Sequence, residues 1–135
     1  MALNMGSPAV VLVVDDEPLL RIEVALALEA LGCGVIEAEH SRSALVELER
    51  HPEIAALFTD INMPGDSGLE LARIVHRLRP DVHVFMTSGL EQPSGMEMPE
   101  ACVFVGKPYA ADKVAALIRE RIALGPACLG AVRLD

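Results

Sequence analysis

Aromatic residues are scarce in this chain: among 135 residues there are no tryptophans, one tyrosine and three phenylalanines. Val, Leu, Ile and Ala must therefore fill the interior, which suits buried parallel strands under helices better than an aromatic-rich all-β fold. Cysteine is equally sparse. Cys33, Cys102 and Cys128 form no CxxC or Cys/His spacing, so reduced thiols in a cytoplasmic protein are expected. Basic residues number 11 against 20 acidic ones, giving a net charge of −9 and a pI near 4.8. A surface that binds nucleic acid needs a basic patch to neutralise phosphates, so no nucleic-acid partner is expected; the acidic balance serves solubility. Long apolar runs are missing too. Ala9–Val14 is far short of the roughly 20 residues that span a bilayer, and Met1–Pro8 has no basic leader region, so no membrane contact is expected.

What the chain does have is enough length for one compact domain, with hydrophobic residues at 52%. A domain of this size buries a core without disulfides or a structural metal. Short apolar runs alternate with amphipathic stretches. Ala9–Val14 reads as a buried strand. Pro18 stands at a helix start, followed by Leu20, Val24, Ala27, Leu28 and Leu31 at helical spacing, with Gly32 and Gly34 closing the helix. Val35–Ala38 reads as a second strand and Ser41–Arg50 as a helix with Leu45 and Leu48 inward. Ile54–Thr59 is a third strand and Asn62–Gly68 a loop. Gly68–Arg79 is a helix with Leu71, Ile74, Val75 and Leu78 on one side. Val82–Thr87 and Ala101–Val105 are the fourth and fifth strands. Ala110–Ala123 is a final helix, and Leu124–Asp135 a loose tail. This alternation predicts an α/β fold, a parallel sheet with helices on both faces. One interval breaks the rhythm: Gly89–Glu100 carries Pro93, Gly95 and Pro99 where a helix is due, and those breakers predict a shortened or irregular element.

Ligands of a doubly wound parallel sheet bind at the carboxyl ends of its strands. The first strand here ends in Asp15–Asp16, the third in Asp60, the fourth in Thr87–Ser88 and the fifth in Gly106–Lys107–Pro108. Taken singly, each has an ordinary explanation. Asp15–Asp16 fits a helix cap and a favourable first-turn charge. Asp60 fits an Asx-turn before Pro64, Thr87 a strand-end hydrogen bonder and Lys107 a solvated charge. Together they bring carboxylates, a hydroxyl and an ammonium to one rim. Clustered carboxylates repel and favour a bound cation; an all-oxygen set points to Mg²⁺. A carboxylate nucleophile attacks a phosphoryl group in line to give an acyl phosphate, with the lysine and hydroxyl balancing its charge.

The segments VLVVDDEP, TDINMPGDSGLEL, MTSG and VGKPY, in that order over roughly Ala9–Ala123, resemble the signature set of response-regulator receiver domains. The resemblance implies a flavodoxin-like doubly wound fold, a five-stranded parallel sheet in order 2-1-3-4-5. It implies phosphorylation of Asp60 by a histidine kinase or phosphotransfer protein. Asp15, Asp16, Asp60 and the Asn62 backbone carbonyl are implied as Mg²⁺ ligands, and Thr87 and Lys107 as the switch hydroxyl and phosphate-contacting lysine. Phe104 falls at the switch aromatic position, where an ordinary core role also fits, and Lys107–Pro108 at the family's cis peptide.

The expected organisation is an extension over 1–8, a receiver over 9–123 and a tail over 124–135. No output domain follows Ile122, so a stand-alone regulator is expected, acting through protein contacts or as a phosphate sink; a receiver excised from a hybrid kinase has the same features. The degraded fourth helix puts the family's usual dimer in doubt, leaving a monomer or weak dimer. Two rivals differ in class. An aspartyl-nucleophile phosphohydrolase of the haloacid dehalogenase group carries a second acid two residues after the nucleophile, where this chain has Asn62. A phosphorylation-independent binding module tends to lose one of the acid, hydroxyl and lysine set, which is complete here.

Overall fold

A computed structural model describes residues 8–89 and 101–127. Five parallel strands form the central sheet: β1 Val10–Val14, β2 Gly34–Ala38, β3 Ile54–Asp60, β4 His83–Ser88 and β5 Val103–Gly106. Their spatial order is β2-β1-β3-β4-β5. The helices are α1 Pro18–Ala30, α2 Ser41–Arg50, α3 Gly68–Leu78 and α4 Ala111–Ala123. The fold class and strand order agree with expectation. The irregular fourth helix predicted for Gly89–Glu100 lies, apart from Gly89, outside the described residues. Among the described residues no helix is long and apolar enough to cross a membrane.

The apolar run of β1 is explained by burial on both faces. Val11 and Val13 join Phe58, Phe85, Val24, Leu28 and Val114 on the α1/α4 side. Leu12 and Val14 join Leu57, Met86, Leu48, Leu71 and Val75 on the α2/α3 side. Strand alternation sends neighbours to opposite faces, so a strand covered on both sides has no polar position to offer.

Helix ends follow local chemistry. Pro18 opens α1, where its missing N–H costs no hydrogen bond. Gly32, at φ 90°, takes the left-handed conformation that lets Cys33 N–H donate back to Leu28 O at 3.1 Å. Ser67 caps α3 by accepting the Glu70 N–H at 3.1 Å, half of a Ser-x-x-Glu capping box.

Several boundaries or surroundings differ from the sequence reading, and Gly34 opens β2 where it was expected to close α1. The loop over Asn62–Gly68 contains a small antiparallel ladder, Asn62 opposite Ser67 and Met63 opposite Asp66, turned by Gly65 at φ 68°. Its Asp66 carboxylate accepts the Ser41 N–H at 2.6 Å, tying the loop to the start of α2. The fifth strand begins at Val103, because Ala101 sits at φ 70° and cannot extend it. Leu78, expected inward, is 64% exposed and borders a groove of about 540 Å³ with Leu45, Leu48 and Ile74. The tail starts tied down rather than loose: Ala127 N–H donates to Asp81 O at 3.0 Å, and His83 Nε2 donates to Gly125 O at 2.7 Å.

Gly68 fixes how α3 meets β3. A Cβ there would run into the Asp60 carbonyl oxygen, and would lie 2.8 Å from both Asp60 C and Ile61 Cα. These are backbone atoms that cannot swing aside. The expected outcome for Gly68→Ala is therefore a loss of about 2–4 kcal/mol in urea-unfolding stability, whereas Gly32→Asn, with open space around its Cβ and a left-handed φ that Asn tolerates, loses less.

Candidate functional site: a carboxylate and lysine cluster at the carboxyl edge of the sheet

The sheet register delivers the sequence-predicted residues to one place. Asp60 ends β3 beside Thr87 of β4. Backbone bonds continue past the strands, from Ile61 N–H to Thr87 O and from Lys107 N–H to Ser88 O, both at 3.0 Å. The loops thus leave the sheet in fixed directions. Asp15 and Asp60 are buried, at 3% and 4% exposure, while Asp16 is exposed. One carboxylate oxygen from each of the three lies within 4.8 Å of the others. Lys107 Nζ reaches across β4 to Asp60 Oδ2 at 3.0 Å. Asp60 Oδ1 accepts the Asn62 N–H at 3.0 Å, and the Asn62 side-chain amide donates to Ser88 Oγ. Thr87 is fully buried, and its hydroxyl has no hydrogen-bond partner among the described residues. The Lys107–Pro108 peptide bond is cis. Phe104 is half-buried against the α2/α3 side of the core.

Electrostatics set the character of this cluster. At 4.8 Å two like charges repel by about 3 kcal/mol even at an effective dielectric constant of about 20. Burial is the largest influence on Asp15 and raises its pKa; the Glu17 N–H at 2.9 Å opposes this, and the charges of Asp60 and Asp16 raise it further. Burial pulls Lys107 down, but its hydrogen bond to Asp60 and the charges of Asp60, Asp15 and Glu17 outweigh that, leaving its pKa raised. One ammonium among three carboxylates leaves a deficit of positive charge. The donor set is all oxygen, anionic, and open to water at Asp16, which fits a hard divalent cation that keeps several waters.

Several supporting residues had escaped the sequence reading. Arg21 Nη1 donates to Asp15 O at 2.8 Å while its Nε pairs with Glu37 at 2.9 Å. It thereby pins the β1 turn to β2, and only its position one helical turn after Glu17 hinted at this. Gly68, whose missing Cβ lets α3 approach the Asp60 carbonyl, was visible only as a glycine where a helix former is usual. Tyr109 is half-buried with its ring edge-on to Phe58.

Because Asp15 binds its proton more tightly in the folded state, its ionisation weakens the fold at neutral pH. Its stabilising share is full below the unfolded-state pKa and lost as pH rises through the raised folded value. Without divalent cations, Asp15→Asn is expected to melt above the wild type at pH 7, with the gap closing as pH falls through that window. Thermal unfolding followed by circular dichroism across the acid range checks this.

Known proteins give the same picture. Residues 11–119 match the response regulator receiver domain family. The phosphate regulon transcriptional regulatory protein PhoB of Pseudomonas aeruginosa is 33% identical over 116 residues, 81% of this chain and 49% of PhoB. The nitrogen assimilation regulatory protein NtrX of Azorhizobium caulinodans is 37% identical, over 82% of this chain and 25% of NtrX. The chain therefore spans half or less of these relatives. Among solved structures, the receiver domain of the hybrid histidine kinase CckA superposes with a TM-score of 0.72 at 27% identity, covering 84% of this chain and 99% of that domain. A CheY-like receiver from Methanospirillum hungatei reaches 0.77 at 24% identity, covering 87% and 96%, and speaks to the fold alone. A strand order of 2-1-3-4-5, acids after the first and third strands and a lysine after the fifth thus come with a family match over most of the length: this chain belongs to the response regulator receiver domain family.

Proposed function

We propose that the chain is a phosphoacceptor switch of a two-component system, taking a phosphoryl group on Asp60 from a histidine kinase or phosphotransfer protein. The observation that carries this reading is the setting of Asp60: a buried carboxylate at the sheet's carboxyl edge, 3.0 Å from Lys107 and within 4.8 Å of Asp15 and Asp16. One of its oxygens attacks the donor phosphorus, the new P–O bond forms as the donor P–N bond breaks, and the leaving imidazole keeps the electron pair.

Such a transfer needs positioning and charge balance more than acid–base work. The Asn62 N–H and Lys107 aim the carboxylate. Lys107 then has a phosphoryl oxygen within its reach, and the Thr87 hydroxyl, without a partner among the described residues, is free to donate to another. Mg²⁺ would be held by Asp15, Asp16, Asp60 and the Asn62 backbone carbonyl, and would supply positive charge facing the phosphoryl oxygens. Turning Thr87 toward the new group moves β4 and its loop, with half-buried Phe104 on β5 beside it, which is how the signal leaves the rim.

The receiver is proposed to span 9–123, between an extension over 1–8 and a tail over 124–135. It signals through protein contacts, as a monomer or weak dimer. Phosphate-sink behaviour is the second mode, and a rapid loss of label from Asp60 without any partner distinguishes it. The phosphohydrolase reading lacks support, since Asn62 donates both its N–H and its side-chain amide where that chemistry needs an acid.

A small acyl- or amidophosphate donor with Mg²⁺ should place one phosphoryl group on the wild type. Asp60→Asn should take none, and Lys107→Ala should be labelled more slowly by about tenfold or more. Intact-protein mass spectrometry reads all three; label on Asp60→Asn equal to wild type overturns the reading.

A further inference from the structure

The Arg21 side chain, on α1, is only 12% exposed, although arginine is mostly left in water. Its Nε pairs with Glu37 Oε1 at 2.9 Å, and its Nη1 donates to Asp15 O at 2.8 Å. The first contact alone explains little of this burial. Glu37 keeps 40% of its side chain exposed, and an ion pair open to water on one side contributes little to stability. The second contact reaches the carboxylate cluster itself.

The Asp15 carbonyl belongs to the peptide group that joins Asp15 to Asp16. A peptide group is planar, so a donor held against its oxygen also fixes the plane in which the Asp16 N–H and Cα lie. Arg21 thereby sets the direction in which the chain passes from one acid to the next. Asp15 is held at its other polar groups too. Its N–H donates to Ala38 O at 3.2 Å, and its carboxylate accepts the Glu17 N–H at 2.9 Å. Asp16 is exposed, so its aim depends on the backbone that carries it. Glu37 stands opposite Val13, and Ala38 opposite Val14, in the pairing of β2 with β1. Both anchors of the Asp15 main chain therefore lead back to β2, one directly and one through the guanidinium. The guanidinium suits this task, because it is planar and presents its donors at fixed angles, whereas a lysine ammonium is a rotating point charge.

We propose that Arg21 is a positioning residue of the cation site, acting through the Asp15–Asp16 peptide so that the two carboxylates meet a small divalent ion at the angles it demands. This rests on the reading of Asp15, Asp16 and Asp60 as that site. Mg²⁺ tolerates little departure from octahedral geometry, and loss of the groups that orient metal ligands weakens affinity. Glu37 has a second effect, since it offsets a guanidinium charge that would otherwise repel an incoming cation.

Positioning and bare charge predict opposite signs. Arg21 is a cation close to a cation site, so by charge alone its removal tightens Mg²⁺ binding. By positioning, Arg21→Gln should bind Mg²⁺ about tenfold more weakly in isothermal titration calorimetry. Arg21→Lys, which keeps the charge but not the planar fork, should be weakened as well. A merely structural role would lower the urea midpoint of the Mg²⁺-free variants and leave the Mg²⁺ Kd of the folded protein unchanged. The proposal is overturned if either variant, shown to be folded by circular dichroism, binds Mg²⁺ as tightly as the wild type or more tightly. Should Arg21→Gln fold poorly, Arg21→Lys decides alone. Absence of any Mg²⁺ binding heat in the wild type overturns instead the cation-site reading on which the proposal stands.

Discussion

Like-charge repulsion at the carboxyl edge of the sheet is the constraint around which the rest of this molecule is arranged. Three carboxylate oxygens share a space 4.8 Å across, with one ammonium to balance them. Two of the three acids are nearly buried, so water cannot screen them fully. The fold tolerates this because rigid elements hold every member. β1, flanked by β2 and β3, fixes Asp15; β3, flanked by β1 and β4, fixes Asp60. Arg21 clamps the Asp15 backbone, the Glu17 N–H holds its carboxylate, and Gly68 lets α3 approach the Asp60 carbonyl.

That arrangement gives the edge two properties. It is poor in positive charge, which suits a cation, and it holds a fully buried hydroxyl without a partner among the described residues, which suits an incoming acceptor oxygen. On the proposed function, one event would meet both needs, the arrival of a metal and a phosphoryl group. A site whose groups are satisfied only when loaded is poised to change shape on loading, and small changes there pass into packed strands and not into solvent.

Much of this was legible in the sequence, for physical reasons. Strand and helix periods exposed β1 to β5 and the four helices because burial on both sheet faces leaves a clear pattern, as in Val10–Val14. Asp15, Asp60, Thr87 and Lys107 were legible because strand ends in a parallel sheet converge in space. What escaped depends on tertiary contact. The ladder over Asn62–Ser67 is too short to show periodicity. Leu78 falls on the apolar stripe of α3 yet, as the helix's last residue, stays exposed. The anchoring of Gly125 and Ala127 to His83 and Asp81 joins residues more than 40 apart. That the buried Tyr109 hydroxyl has no hydrogen-bond partner among the described residues is a property of its surroundings, invisible in a KPY tripeptide.

Everything above requires that the three carboxylates form a site that needs a cation. Urea unfolding of the wild type in Mg²⁺, compared with NaCl at equal ionic strength, tests that directly. Binding to the folded state alone raises stability by RT ln(1 + [Mg²⁺]/Kd), so the unfolding midpoint should climb with the logarithm of Mg²⁺ concentration once the site begins to fill. Sodium at matched ionic strength should leave it nearly unchanged. Coincident midpoints in the two salts at every concentration would contradict the account.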